Sequence, residues 1–159
     1  MKISTISSFI LLFWFASPLP VIAQVTIPPD RDQLLKGDPA GQTAVAENNG
    51  FLSPQKIVSL KEQLGLTKDQ LRKMDEMLTN LPISVNVKGQ EIVEAEEELN
   101  KLFESGTINE KTLRVKLERI GKMRADLRFI HLQVYLREKQ IISAKQWDRL
   151  KELQASEAK

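Results

Sequence analysis

The chain has 159 residues, a formal net charge of +2 and no cysteine. Lacking cysteine, it can form no disulfide, no thiolate metal site and no cysteine nucleophile, so its fold rests on packing alone. A charge this close to neutral points to no particular partner, and the length suits one domain of ordinary size.

Residues 1–23 read as a secretory signal peptide. Lys2 precedes the apolar run Phe9-Ile10-Leu11-Leu12-Phe13-Trp14-Phe15-Ala16, then Pro18 and Pro20, then Val21-Ile22-Ala23 ahead of Gln24. The run is shorter than the roughly 20 apolar residues of a membrane span, and Val21 and Ala23 suit cleavage after Ala23. The alternative is an uncleaved anchor. Residues 24–52 are poor in periodic apolar positions and rich in breakers, among them Pro28, Pro29, Gly37, Pro39, Gly41 and Gly50. That composition predicts a flexible arm.

A helical domain is expected over 53–155, with a short tail at 156–159. Ser53-Pro54 is a cap followed by proline at the first helical position, where its missing N–H costs nothing. Ile57, Leu60 and Leu64 mark one face of a short helix, which Gly65 ends with a left-handed residue. Leu66-Thr67-Lys68-Asp69-Gln70-Leu71 then forms a stapled capping box. Thr67 accepts from the N–H three residues on, Gln70 reaches back to the cap's own N–H, and Leu66 can pack on Leu71.

Leu71, Met74, Leu78 and Leu81, with Met77 beside them, make an amphipathic stripe. Pro82 and Gly89 interrupt the region, and Ile83, Val85 and Val87 alternate as a strand would. Helix with a kink or break near Pro82 is favoured, because one isolated strand would have no partner. Ile92, Leu99, Leu102 and Phe103 resume the helical period, and Glu104-Ser105-Gly106 closes the arm.

Thr107 and Glu110 offer a third capping box, opening a helix that can run to about Ile141 through Leu113, Leu117, Ile120, Met123, Leu127, Ile130 and Val134. Such a rod is about 45 Å long, more than one short neighbour covers. Phe129, Ile130, Leu132, Val134, Tyr135 and Leu136 make it apolar nearly all round, so Phe129, Ile130, Leu132, Val134 and Leu136 are expected in the core or a dimer interface. Ile142-Ser143-Ala144-Lys145-Gln146-Trp147 repeats the stapled capping box and opens a last helix carrying Leu150.

Two such motifs near the ends of a small exported helical chain resemble the LTxxQ-motif family of periplasmic proteins, which includes Spy, CpxP and the heavy-metal sensor and resistance proteins of the ZraP and CnrX type. The motif residues are Leu66, Thr67 and Gln70 in the first copy. In the second they are Ile142, Ser143 and Gln146, with conservative departures at the first two positions. The resemblance covers roughly Ser53 to Gln154. It implies an all-α fold, a long helical hairpin with short flanking helices, assembled as a dimer in the periplasm. It also implies an ATP-independent chaperone or envelope-stress accessory that holds unfolded proteins or docks on a sensor domain.

Charge divides the two long arms. Glu91, Glu94, Glu96, Glu97, Glu98 and Glu104 dominate the first, whereas the second is mainly basic. The complementary reading is two solvated faces with modest mutual attraction. The functional reading is a client-binding basic face of Arg114, Lys116, Arg119, Lys122, Arg124 and Arg128, whose long stems suit chemically mixed contacts.

Metal chemistry is the alternative function. Sensor-branch relatives carry two histidines one turn apart, but here His131 is the single histidine and Tyr135 stands one turn later. One imidazole without a thiolate is a poor transition-metal site, so no metal cofactor is expected and His131 is only a weak candidate ligand. Glu91, Glu94 and Glu98 share a helical face but read as solvated, and Met74 and Met77 read as core. No enzyme is expected. Ser53-Pro54-Gln55-Lys56 matches a Ser-x-x-Lys pattern without its companion motifs, and no phosphate loop or nucleic-acid fold signature is present.

Overall fold

The computed structural model describes residues 26–39 and 41–157, and every regular element among them is an α-helix. In chain order they are α1 (Arg31–Lys36), α2 (Ala44–Glu47), α3 (Pro54–Ser59), α4 (Lys61–Leu64), α5 (Lys68–Glu104), α6 (Glu110–Ile141) and α7 (Ala144–Glu157). The expected signal peptide lies outside the described residues.

Two long helices, α5 and α6, run antiparallel as a hairpin and carry the structure. Each is far longer than the dozen or so residues at which helix formation becomes marginal in isolation, and each buries one stripe against the other. Pro82 does not break α5, which is one helix of 37 residues. The proline forfeits one backbone bond, but its neighbours Leu81 and Val85 pack into the core, and that burial holds the helix through it. Val85 is buried while Ile83 and Val87 face outward, so the apparent strand alternation is one helix showing two sides.

The third cap differs from expectation. Asn109, not Thr107, opens α6, and its side chain accepts from the Thr112 N–H at 3.0 Å. The Thr107 N–H is instead used by α5, bonding the Leu102 carbonyl at 3.2 Å, so Thr107 still belongs to the turn.

Two apolar clusters line the hairpin. At its open end, α3, α4 and α7 close over Ile57, Leu64, Met74, Met77, Val134, Tyr135, Ile142 and Leu150. Nearer the middle, Leu34 joins Val85, Ile92, Val93 and Leu127.

Leu34 belongs to the segment expected to be a flexible arm. The described part of that segment is instead laid on the hairpin: α1 packs against α5, and Thr43 and Leu34 are buried. The residues are too sparse in apolar period to announce this, since α1 offers a single buried anchor. The helix α7 continues through Glu157, two residues into the segment expected to be a tail.

Candidate functional site

The two motifs meet. In the first, the Gln70 N–H donates to Thr67 Oγ1 at 3.2 Å and the Thr67 N–H donates to Gln70 Oε1 at 2.9 Å. In the second, the Gln146 N–H donates to Ser143 Oγ at 3.3 Å and the Ser143 N–H donates to Gln146 Oε1 at 2.8 Å. The two glutamines then pair with each other. Gln70 Nε2 donates to Gln146 Oε1 at 2.8 Å, and Gln146 Nε2 donates to Gln70 Oε1 at 3.0 Å. Their second N–H groups reach the carbonyls of Ile141 and Gly65. Each amide thereby uses both donors and two acceptor positions, which is a complete set for a glutamine. Ile142 is buried in the cluster that Leu66 and Trp147 flank. The motif residues are therefore a clasp joining the starts of α5 and α7.

The basic residues of α6 do not form one uniform face. Lys116 and Arg119 share Glu98 of α5, at 2.8 and 3.7 Å. The Lys116 contact holds the Glu98 carboxyl below its ordinary pKa. Lys122 pairs with Asp126, and Arg114 lies 3.8 Å from Glu110. Arg124 grips both carboxylate oxygens of Asp30 while also bonding Glu96. That bridge lowers the Asp30 pKa and raises that of Arg124, the hydrogen bonds outweighing the cost of burial. Arg128 is exposed. Arg124 is thus committed to holding the arm, whereas Arg114, Arg119, Lys122 and Arg128 remain at the surface.

The apolar belt of α6 splits likewise. Val134 is buried and Ile130 packs against the middle cluster. Leu132 is half-buried, and Phe129 and Leu136 are left exposed at 63% and 58%. Between the helices, an open groove of about 550 Å³ has Met77 and Val134 at its base and Asn80, Ser84, Gln133 and Arg137 on its walls.

No family model, curated protein or solved structure matches this chain.

His131 is buried, not displayed, and its Nε2 has no partner among the described residues. Burial lowers its pKa, partly offset by Asp38. It lines a cavity of about 260 Å³ beneath the arm, shared with Glu47, Pro82 and Tyr135. The Tyr135 hydroxyl donates to Glu47 Oε1 at 2.8 Å, and burial together with that carboxylate pushes its pKa up to about 12. Among the described residues no group of three or more His, Cys, Asp or Glu could hold a metal ion. Glu91, Glu94 and Glu98 bond Lys88, Gln90 and Lys116 respectively.

Sequence reasoning missed three residues of this region. Glu138 is fully buried, neither carboxylate oxygen has a partner among the described residues, and burial pushes its pKa up to about 8. Nothing in Arg137-Glu138-Lys139 distinguishes it from a solvated charge. Asp30 and Gly89, which fix the arm, were missed too: Gly89 read as an interruption, whereas α5 runs through it and its missing side chain admits the Leu34 backbone.

Proposed function

We propose that this protein is a non-catalytic, exported helical binder of the Spy and CpxP type, an ATP-independent chaperone that holds unfolded segments of periplasmic proteins and works as a dimer. The observation that carries the reading is the surface of the hairpin. Large apolar side chains stand exposed on both helices, Ile83 and Val87 on α5 and Phe129 and Leu136 on α6, among charged groups that are paired only at the surface. Exposed ion pairs contribute about 1 kcal/mol or less, so Arg119 and Lys122 can exchange their carboxylates for those of a client. A surface of mixed character, without an enclosed pocket of fixed shape, suits a ligand of no fixed sequence.

The paired capping boxes support the same family reading, since the resemblance rests on those residues and they act as one unit. A metal-responsive role would rest on His131 alone. Docking on a membrane sensor would use the same exposed surface. Reversing charge at Arg119, Lys122 and Arg128 tests the client reading: suppression of client aggregation should weaken and become less sensitive to salt, because exposed charges are screened over about 8 to 10 Å. Unchanged suppression in the triple variant would remove the basic residues from the account.

A further inference from the structure

The arm is bound to the hairpin as a separate peptide would be. Its α1 has six residues, too few to be helical unsupported, so it acquires its form on the surface it covers. One apolar anchor, Leu34, fills the cluster of Val85, Ile92, Val93 and Leu127. One acid, Asp30, four residues earlier, is held by both nitrogens of the Arg124 fork, at 2.7 and 3.2 Å. Arg31 pairs with Glu97 beside it.

The backbones also touch. A Cβ on Gly89 would lie 2.1 Å from the Leu34 carbonyl oxygen, and one on Gly37 would lie 2.8 Å from Asn86 Oδ1. Gly89 is therefore a notch in α5 that admits the main chain of a docked segment. An amphipathic helix with an anchor at its centre, laid in a groove, is a common mode of peptide recognition.

We propose that this face is a client-binding site, that the arm is its internal occupant, and that the client is an amphipathic segment of an unfolded chain whose apolar side chain takes the place of Leu34 and whose carboxylate takes that of Asp30. The inference rests on the chaperone reading and names where the client binds and how access is regulated. A tethered occupant competes at an effective concentration of about millimolar, so a client must displace it. Displacement uncovers Val85, Ile92, Val93 and Leu127 and releases Arg124 from Asp30. Arg124 keeps Glu96 meanwhile, so the face is not left with an uncompensated charge.

The test uses the full chain with the arm unlatched from its own side, by Leu34→Asp or, as a second variant altering less of the core, Asp30→Lys. The probe is a fluorescein-labelled peptide of residues 28–38. By anisotropy, the peptide should bind either helical variant saturably and at least tenfold tighter than it binds the unaltered chain. Adding Gly89→Ala should abolish that binding, and a reduced, carboxymethylated unfolded protein should displace the peptide. Absence of saturable peptide binding to variants that keep their helicity would overturn the proposal. So would peptide binding that the unfolded protein cannot displace, which would make the arm a structural brace. In light scattering, protection by the unaltered chain without displacement would sink this inference and spare the chaperone reading. Peptide binding without any protection would overturn the chaperone reading and leave the face as a docking site for the arm alone.

Discussion

Replacing Glu138 by glutamine should stabilise the protein, by an amount that grows with pH. Glu138 is 0% exposed and neither carboxylate oxygen has a partner. Ionising it there would leave a buried charge with no hydrogen-bond partner among the described residues, so burial raises its pKa from 4.5 to about 8. The folded state then keeps a proton that the unfolded chain releases. Stability from this group is complete below the unfolded value and is lost as pH rises toward the folded one. Each unit is worth about 1.4 kcal/mol, so the native chain should lose about 3 kcal/mol between pH 4.5 and pH 7 and about 5 by pH 8 and above. That is a large share of the 5 to 15 kcal/mol by which domains are usually stable. The glutamine variant has nothing to ionise and similar shape. Urea denaturation of both chains near pH 5, 7 and 8.5 isolates the effect, because every other group titrates alike in each. The curves should nearly coincide at pH 5 and separate by several kcal/mol at pH 8.5, glutamine being the more stable. A constant difference across the range would show that Glu138 is hydrated or paired in solution, and the argument from burial would fail.

Other expectations concern separate parts of the fold. In a double-mutant cycle, Gln70→Ala and Gln146→Ala should couple by about 1 kcal/mol, the net worth of a typical hydrogen bond, and additive losses would mean that the clasp does not form. Pro82→Ala should raise the melting temperature, since proline inside a helix costs about 3 kcal/mol, and a lowered one would assign Pro82 a packing role worth more than its helical penalty. Phe129→Lys with Leu136→Lys should preserve helicity and weaken suppression of client aggregation, because those side chains project from the hairpin into solvent. Undiminished suppression would take both side chains out of the client surface.

The parts of the molecule legible in sequence are those decided by neighbouring residues. Thr67 with Gln70 and Ser143 with Gln146 are complete capping units within four residues, and the structure builds both. Ser53 and Gly65 mark their helix ends for equally local reasons: one accepts from the Lys56 N–H, and the other adopts φ +60. The third cap was read at Thr107 with Glu110, two residues before the residue that caps α6. Extended backbone at Asn109, after the left-handed turn at Gly106, decides for Asn109. Contacts between distant segments were harder to read. That the glutamines of the two boxes face each other, 76 residues apart, depends on the hairpin bringing its ends together. The basic residues of α6 were visible as a list, yet which carboxylate each meets is set by the register of α5 against α6. The arm shows the same gap, since its docking needs Leu34, Asp30 and the notch at Gly89 to coincide in space.

The central claim is that this surface holds unfolded protein, and the direct measurement is light scattering from a urea-unfolded client diluted into buffer with increasing amounts of the purified chain. Suppression of aggregation is expected at near-stoichiometric amounts of the chain, without ATP or metal and weakened by added salt. No suppression at several-fold molar excess, together with a stoichiometric isotherm for zinc, nickel, cobalt or copper that His131→Ala abolishes, would contradict it.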